Sequence, residues 1–312
     1  MMTRICISEF MDEQAVATLA AGFDLHYEPS WADRREALLS ALSEAAALIV
    51  RNRTRVDAEL LERAPQLRVV GRLGVGLDNI DVAACQARGI RVIPATGANA
   101  RSVAEYVVTT VAMLLRGAYA SNTEMAAGQW PRARLSEGRE TLGKTLGLIG
   151  FGDIGRLTAA LAQAFGMRVI AHDPMLADVD PVWQSAGVEP RALDALLAES
   201  DAVSLHVPLV PATRHLIDAQ RLRQMKPGAV LINSARGGVV DEPALAAALR
   251  EGRLAGAALD VFEQEPLPAG SALAGVPNLL LTPHIGGVTR EANERVSMLI
   301  AQQVRKALED SR

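Results

Sequence analysis

Gly150, Gly152 and Gly155 stand at G-x-G-x-x-G spacing, directly after the apolar run 145–149 and before a stretch of helical period. Each position calls for a residue without a side chain for its own reason. The first makes the tight turn out of a strand, the second lets the backbone approach a pyrophosphate, and the third lets the helix lie close to the strand. The helix that Asp153 and Ile154 open would aim unpaired N–H groups and a positive dipole end at the phosphates. Asp173 follows Gly155 by eighteen positions, at the end of the next apolar run. A carboxylate there accepts from both ribose hydroxyls of a dinucleotide and repels a 2′-phosphate, so the pattern favours NAD over NADP. A glycine-rich turn with no ligand is the bland alternative, and strand, helix and acid together speak against it.

Three later segments place polar groups just beyond apolar strands, where open α/β sheets bind ligands. They are Asn233-Ser234-Ala235-Arg236-Gly237-Gly238, Asp260-Val261-Phe262-Glu263-Gln264-Glu265 and Thr282-Pro283-His284-Ile285-Gly286. Arg236 offers a planar fork of donors for a carboxylate. His284 carries the one side chain whose unperturbed proton moves near neutral pH, as a general acid or base must. A single His is more often structural than catalytic, and His26, His172 and His215 are read that way. His206 is given a lining role near the crevice.

The elements that must position these groups follow a β-α-β-α rhythm. Strands are expected over 4–8, 24–27, 47–50, 68–72 and 90–93, with a helix over 33–46 that sets Leu38, Leu39 and Leu42 on one face. A second series of strands runs over 145–149, 168–172, 202–207, 229–233, 257–261 and 279–282. This rhythm implies parallel sheets covered on both faces. Between the series, Ser102-Val103-Ala104-Glu105 has the Ser-x-x-Glu form of a capping box and is expected to open a helix to about residue 116. A last helix is expected over 290–308.

At 312 residues the chain is slightly long for one core, so two domains are expected. With 49% hydrophobic and 22% charged residues it is globular, and a net charge of −4 gives no electrostatic footprint for nucleic acid. No run is long enough to cross a bilayer. Cys6 and Cys85 fit no metal or redox spacing and read as reduced thiols, which suits a cytoplasmic protein.

The segments above, with Gly74-Val75-Gly76-Leu77-Asp78-Asn79-Ile80-Asp81, Ser102-Val103-Ala104-Glu105 and His206-Val207-Pro208-Leu209, resemble the D-2-hydroxyacid dehydrogenase family in order and spacing over essentially the whole chain. The likeness is to its 3-phosphoglycerate dehydrogenase-like branch, without a regulatory domain. The resemblance implies a Rossmann dinucleotide-binding domain, about 99–286, inserted into a flavodoxin-like substrate domain, 1–98 plus 287–312. It implies that His284 is the acid/base, that Glu265 bonds its other ring nitrogen, and that Arg236 holds the substrate carboxylate or 2-oxo group. Gly74, Val75 and Gly76 would offer backbone N–H groups to the carboxylate, and Asp260 would hold the nicotinamide carboxamide. On the same footing His206, Pro208, Thr213, Ala235, Arg236, His284 and Gly286 would line the NAD site. D stereochemistry, closure of an interdomain cleft and a homodimer built on the helix after Ser102 and the segment around Trp130 are likewise implied.

Arg51 and Arg53 follow an apolar run, and strand alternation would send them the same way. A substrate with a second anion beyond its carboxylate would suit them, 3-phosphoglycerate or sulfolactate, with glycerate, reached by reducing hydroxypyruvate, or the reduction of glyoxylate as the alternative. The bland reading is that both arginines are solvated or ion-paired. The family likeness leaves rivals. Formate dehydrogenases resemble the architecture but lack the acidic partner of the His, whereas phosphite dehydrogenases resemble it even in the catalytic residues. NAD-sensing corepressors that share the fold keep a similar site without turnover.

Overall fold

The computed structural model describes residues 2–310. It divides into two compact units, residues 1–99 with 288–312 and residues 100–287. In the first, β1 (Arg4–Ile7), β2 (Asp24–Tyr27), β3 (Ala45–Val50), β4 (Val69–Arg72) and β5 (Arg91–Pro94) form a sheet of order β2-β1-β3-β4-β5, parallel throughout. All six residues of β3 are buried, as a central parallel strand covered on both faces requires. The order reverses between β1 and β3, so the connections that follow these two strands leave in opposite directions.

In the second unit, β6 (Thr145–Ile149), β7 (Arg168–His172), β8 (Glu189–Pro190), β9 (Ala202–Leu205), β10 (Val230–Asn233), β11 (Gly256–Leu259) and β12 (Leu279–Leu281) give the order β12-β11-β10-β9-β6-β7-β8, again all parallel. Read from β8, the first six strands have the dinucleotide-fold order, and the reversal lies between β6 and β9. Gly150 follows β6 and His206 follows β9, so the glycine loop and His206 share this switch point.

Two expectations change in the structure. The helix expected over 33–46 is Arg35–Ala41, followed by a single 3-10 turn, because Ala45 and Ala46 are taken into β3. Burial in the sheet outweighs the helix preference of alanine. The helix expected to start at Ser102 runs Ala100–Arg116, so Ser102 is a buried interior residue rather than a cap. The Glu105 carboxylate instead accepts from Arg101 Nε one turn back, at 2.5 Å.

The final helix, Arg290–Glu309, is capped by the Thr289 hydroxyl accepting from the Ala292 N–H. Its buried Ile300 and Val304 lie so close to Gly71 of β4 that an added Cβ would stand 2.8 Å from a methyl of each. Gly71→Ala should therefore destabilise the chain by about 1–3 kcal/mol through overpacking. Urea denaturation would read this, and an unchanged midpoint would show that helix and strand part freely.

Candidate active site

The glycine loop shows three different local constraints. Gly150 has φ +97°, and a Cβ there would meet the His206 carbonyl oxygen at 2.5 Å, across the switch point. Gly155 presses against the turn itself, with the Gly150 carbonyl oxygen 2.5 Å from its would-be Cβ. Beside Gly152 there is open space, with nothing within 4 Å. Gly152 also caps the helix Asp153–Ala164 without any side-chain bond, so the helix start keeps donors for an anion. Asp153 is exposed and paired to Arg156 at 2.7 Å, while Ile154 packs against the core.

Asp173 ends β7 with its carboxylate already oriented. Oδ2 accepts from the Phe151 N–H at 2.8 Å and Oδ1 from the Met175 N–H at 2.9 Å. An ionised carboxylate has about four acceptor positions, so two remain for ribose hydroxyls. The open cradle at Gly152, the uncapped helix start and this carboxylate fit a dinucleotide. Thr213, by contrast, is engaged within its own loop: its hydroxyl accepts from the Val210 N–H and lies 2.6 Å from the Pro208 carbonyl oxygen. His206 is half-buried with Nε2 3.0 Å from Ser204 Oγ, and burial pushes its imidazole down to about 4.

The three polar loops after β10, β11 and β12 are tied to one another. Asn233, 1% exposed, accepts from the Ala235 N–H and donates to the Arg236 carbonyl, which closes the turn carrying Arg236. Arg236 Nη1 donates to the Ala235 carbonyl at 2.6 Å. Gly237 leaves no room for anything larger, since a Cβ would lie 1.7 Å from the Phe262 carbonyl oxygen. The Arg236 loop is thus pressed onto the loop that supplies Glu265. Glu265 Oε1 accepts from the Phe262 N–H at 3.1 Å and its Oε2 lies 2.8 Å from His284 Nδ1. With Nδ1–H donating to that carboxylate, Nε2 is left to take up or release a proton.

His284 sits at φ +56°, a left-handed conformation that is uncommon for a residue with a side chain. Asp260 holds it there. The Asp260 carbonyl accepts from the His284 N–H at 2.8 Å. Its buried carboxylate accepts from Thr282 Oγ1 (2.6 Å) and from the N–H groups of Ile285 (2.8 Å) and Gly286 (2.7 Å). Because Thr282 spends its single proton on Asp260, the Tyr106 hydroxyl 2.8 Å away must be the donor to Thr282. Burial raises the Tyr106 phenol, which keeps that proton in place. Tyr106 and Thr282 are residues that sequence reasoning passed over as a site pair. They lie 176 positions apart, and no local pattern joins them.

Other sequence candidates fall elsewhere. Beside Gly74, the Arg72 guanidinium fills the position a Cβ would take, with Nη1 at 1.6 Å from it, and the loop passes through Val75 and Gly76 to Asn79. Arg51 and Arg53 lie beyond the end of β3 in a loop, so strand alternation does not govern them. Arg51 Nη2 donates to Asn293 Oδ1 at 2.8 Å, whereas Arg53 pairs with exposed Asp33. The remaining histidines have structural partners: His26 with Asp24, His172 with the Arg191 carbonyl and His215 with Glu263.

A dinucleotide cradle on one side of a doubly wound sheet and a His–carboxylate pair among the loops after its later strands define an NAD-dependent dehydrogenase. The model of the D-isomer specific 2-hydroxyacid dehydrogenase NAD binding domain matches residues 108–286, and the chain belongs to this family. It is 57% identical to (S)-sulfolactate dehydrogenase of Chromohalobacter salexigens over 98% of this chain and 99% of that one. It is 44% identical to D-3-phosphoglycerate dehydrogenase of Mycobacterium leprae over 95% of this chain, which spans 56% of that longer protein. Among solved structures it resembles D-lactate dehydrogenase of Aquifex aeolicus complexed with NAD and lactic acid, with a TM-score of 0.84, 29% identity and coverage of 99% and 96% of the two chains. The chain is accordingly an oxidoreductase acting on the CH–OH group of a 2-hydroxy acid with NAD as cofactor. Among the described residues no helix is long and apolar enough to cross a membrane.

The switch-point histidine has a consequence for stability. Between pH 6.5 and about 4 the unfolded chain protonates His206 while the folded chain does not. Its contribution is therefore complete above pH 6.5 and is lost as pH falls toward 4, with a slope of at most about 1.4 kcal/mol per unit. His206→Asn should flatten this part of the stability profile in urea denaturation at stepped pH, and equal slopes in the two proteins would contradict it.

Proposed function

We propose that the enzyme interconverts 3-sulfolactate and sulfopyruvate, with His284 carrying the proton. The observation that carries this reading is the likeness to the Chromohalobacter sulfolactate dehydrogenase along the full length of both chains. The (S) label of that relative's substrate agrees with a D-specific family. Sulfur outranks the carboxyl carbon in the priority rules, so the spatial arrangement called (R) in D-lactate is called (S) in sulfolactate.

In oxidation, the hydroxyl proton goes to His284 Nε2 while Glu265 accepts from Nδ1–H and fixes the tautomer. In reduction the same nitrogen returns the proton to the 2-oxo oxygen. Bound NAD supplies the acceptor or donor for the hydride at that carbon. Arg236 holds the carboxylate or the 2-oxo oxygen, with backbone N–H groups of 74–76 assisting. Asp260 retains about one acceptor position beyond its three partners, which suits the nicotinamide carboxamide. Gly150, Gly152, Gly155 and Asp173 take the pyrophosphate and ribose, and His206, Pro208, Thr213, Ala235 and Gly286 line the site. Arg51 takes the sulfonate. Arg53 is committed to Asp33 and contributes less.

The units that support substrate binding and NAD binding are residues 1–99 with 288–312 and residues 100–287. We also place the enzyme in the cytoplasm, where Cys6 and Cys85, buried and unpaired, stay reduced. We further propose a homodimer, in keeping with the exposed Trp130, Tyr119 and Leu142 of the second unit.

NADH consumption should be fastest, as kcat/KM, with sulfopyruvate, ahead of phosphohydroxypyruvate and hydroxypyruvate. Arg51→Ala should lower the sulfopyruvate value about 10- to 100-fold, and His284→Gln should lower kcat about 10²- to 10⁴-fold while NADH still binds. Preference for hydroxypyruvate would make the enzyme a glycerate-type reductase, and NADH binding with no turnover of any oxo acid would revive a sensor role. Sedimentation at twice the chain mass and activity in the cytoplasmic fraction are the outcomes expected for the last two proposals; a monomer or an exported enzyme would refute them.

A further inference from the structure

Glu9 is a charged residue of the first unit with no part in the chemistry above. It follows β1 and is 4% exposed. β1 and β3 are the neighbours at which the order of the first sheet reverses, the place where an open sheet offers a crevice for a ligand. The Glu9 carboxylate fills that place with a group from the chain itself. Oε1 accepts from the N–H groups of Arg51 (2.8 Å) and Thr54 (3.0 Å), and Oε2 from those of Asn52 (3.2 Å) and Arg53 (3.1 Å). Four successive amides facing one anion form a nest. Its acceptor is saturated, since four donors use the four positions of a carboxylate.

The same loop is held from its carbonyl side. Asn79 Nδ2 donates to the Thr54 carbonyl at 2.7 Å and reaches the Arg51 carbonyl at 3.3 Å. Thr54 Oγ1 lies 2.9 Å from Ser8 Oγ, and both residues are buried. With its backbone fixed, Arg51 is aimed by two side-chain contacts. Its guanidinium lies 6.0 Å from the centre of the Phe10 ring, and Nη2 donates to Asn293 Oδ1 at 2.8 Å. Phe10 comes from the Glu9 loop, so one short segment fixes both ends of Arg51.

Two consequences follow for an anionic ligand. The amides of residues 51–54 are spent on Glu9 and offer nothing to a sulfonate. Recognition of a second anion then falls to the Arg51 side chain, which keeps donors beyond the one given to Asn293. We propose that Glu9 is a positioning residue: by filling the amide nest of residues 51–54 it fixes Arg51 and so sets the preference for an oxo acid with a sulfonate-like second anion over a monoanionic one. This rests on the sulfolactate reading and on Arg51 as the sulfonate contact.

The test compares kcat and KM for sulfopyruvate and hydroxypyruvate in the wild-type enzyme, Glu9→Ala and Glu9→Gln. In Glu9→Gln the size is kept, but the amide NH2 faces loop N–H groups, so a charge-dependent role predicts loss in both variants. The sulfopyruvate kcat/KM should fall about 10- to 100-fold, mainly through KM, while hydroxypyruvate changes far less. Added formate should restore part of the loss in Glu9→Ala by occupying the vacated nest, and should do nothing for the wild type. An equal loss on both substrates, an unchanged substrate ratio, or a Glu9→Gln enzyme with wild-type selectivity would each overturn the proposal. Should Glu9→Ala fail to fold, Glu9→Gln with the substrate ratio decides. A wild-type enzyme that does not favour sulfopyruvate would instead refute the substrate reading, a result visible before any variant is made.

Discussion

Loops that leave the carboxyl ends of parallel strands carry N–H groups that the sheet ladder no longer satisfies, and this chain meets that demand with carboxylates. Asp173 takes an amide of the glycine loop, Glu265 takes one from its own turn, and Asp260 takes two from the segment bearing His284. Glu9 takes four from the loop bearing Arg51. A buried amide without an acceptor costs about 1–3 kcal/mol, and a buried carboxylate without donors costs more. Each pairing therefore stabilises both partners and holds a loop in one geometry at the carboxyl end of its own sheet.

The loops of the second unit also constrain one another. Gly237 lies against the backbone at Phe262, and Gly150 lies against the carbonyl of His206. Neither contact is a bond, yet both set how closely two loops approach. The left-handed backbone at His284 fits the same pattern. A non-glycine residue holds that conformation at a cost, and here the carbonyl of Asp260, its carboxylate and the Thr282–Tyr106 pair determine the turn around it. Glu265 then engages Nδ1 of the imidazole and leaves Nε2 without that partner.

Charge is distributed differently in the two units. In the second, the carboxylate next to His284 is 37% exposed, open to solvent beside the imidazole. In the first, the Glu9 carboxylate is buried and accepts from four backbone amides. The same chemical group thus stands half-exposed beside a histidine in one unit and sealed among four amides in the other, and burial with full donor saturation separates the two.

Much of this was legible from the sequence. Strand-then-glycine spacing marked the tight turn from β6 into the helix Asp153–Ala164, and Asp173, Arg236, Glu265 and His284 each followed an apolar run, because a parallel strand is buried on both faces and releases its chain at one end. Local propensity misplaced what burial decides. Ala45 and Ala46 join a strand rather than prolong a helix, and Ser102 lies within a helix rather than at its cap. Strand alternation did not reach Arg51 and Arg53, because the chain has already left the sheet there and a nest sets its path. Nor could spacing reveal that Tyr106 meets Thr282 or that Glu9 meets residues 51–54. Those contacts join segments far apart in the chain, and hydrogen bonds act over a few ångströms of space, which only the folded sheets bring about.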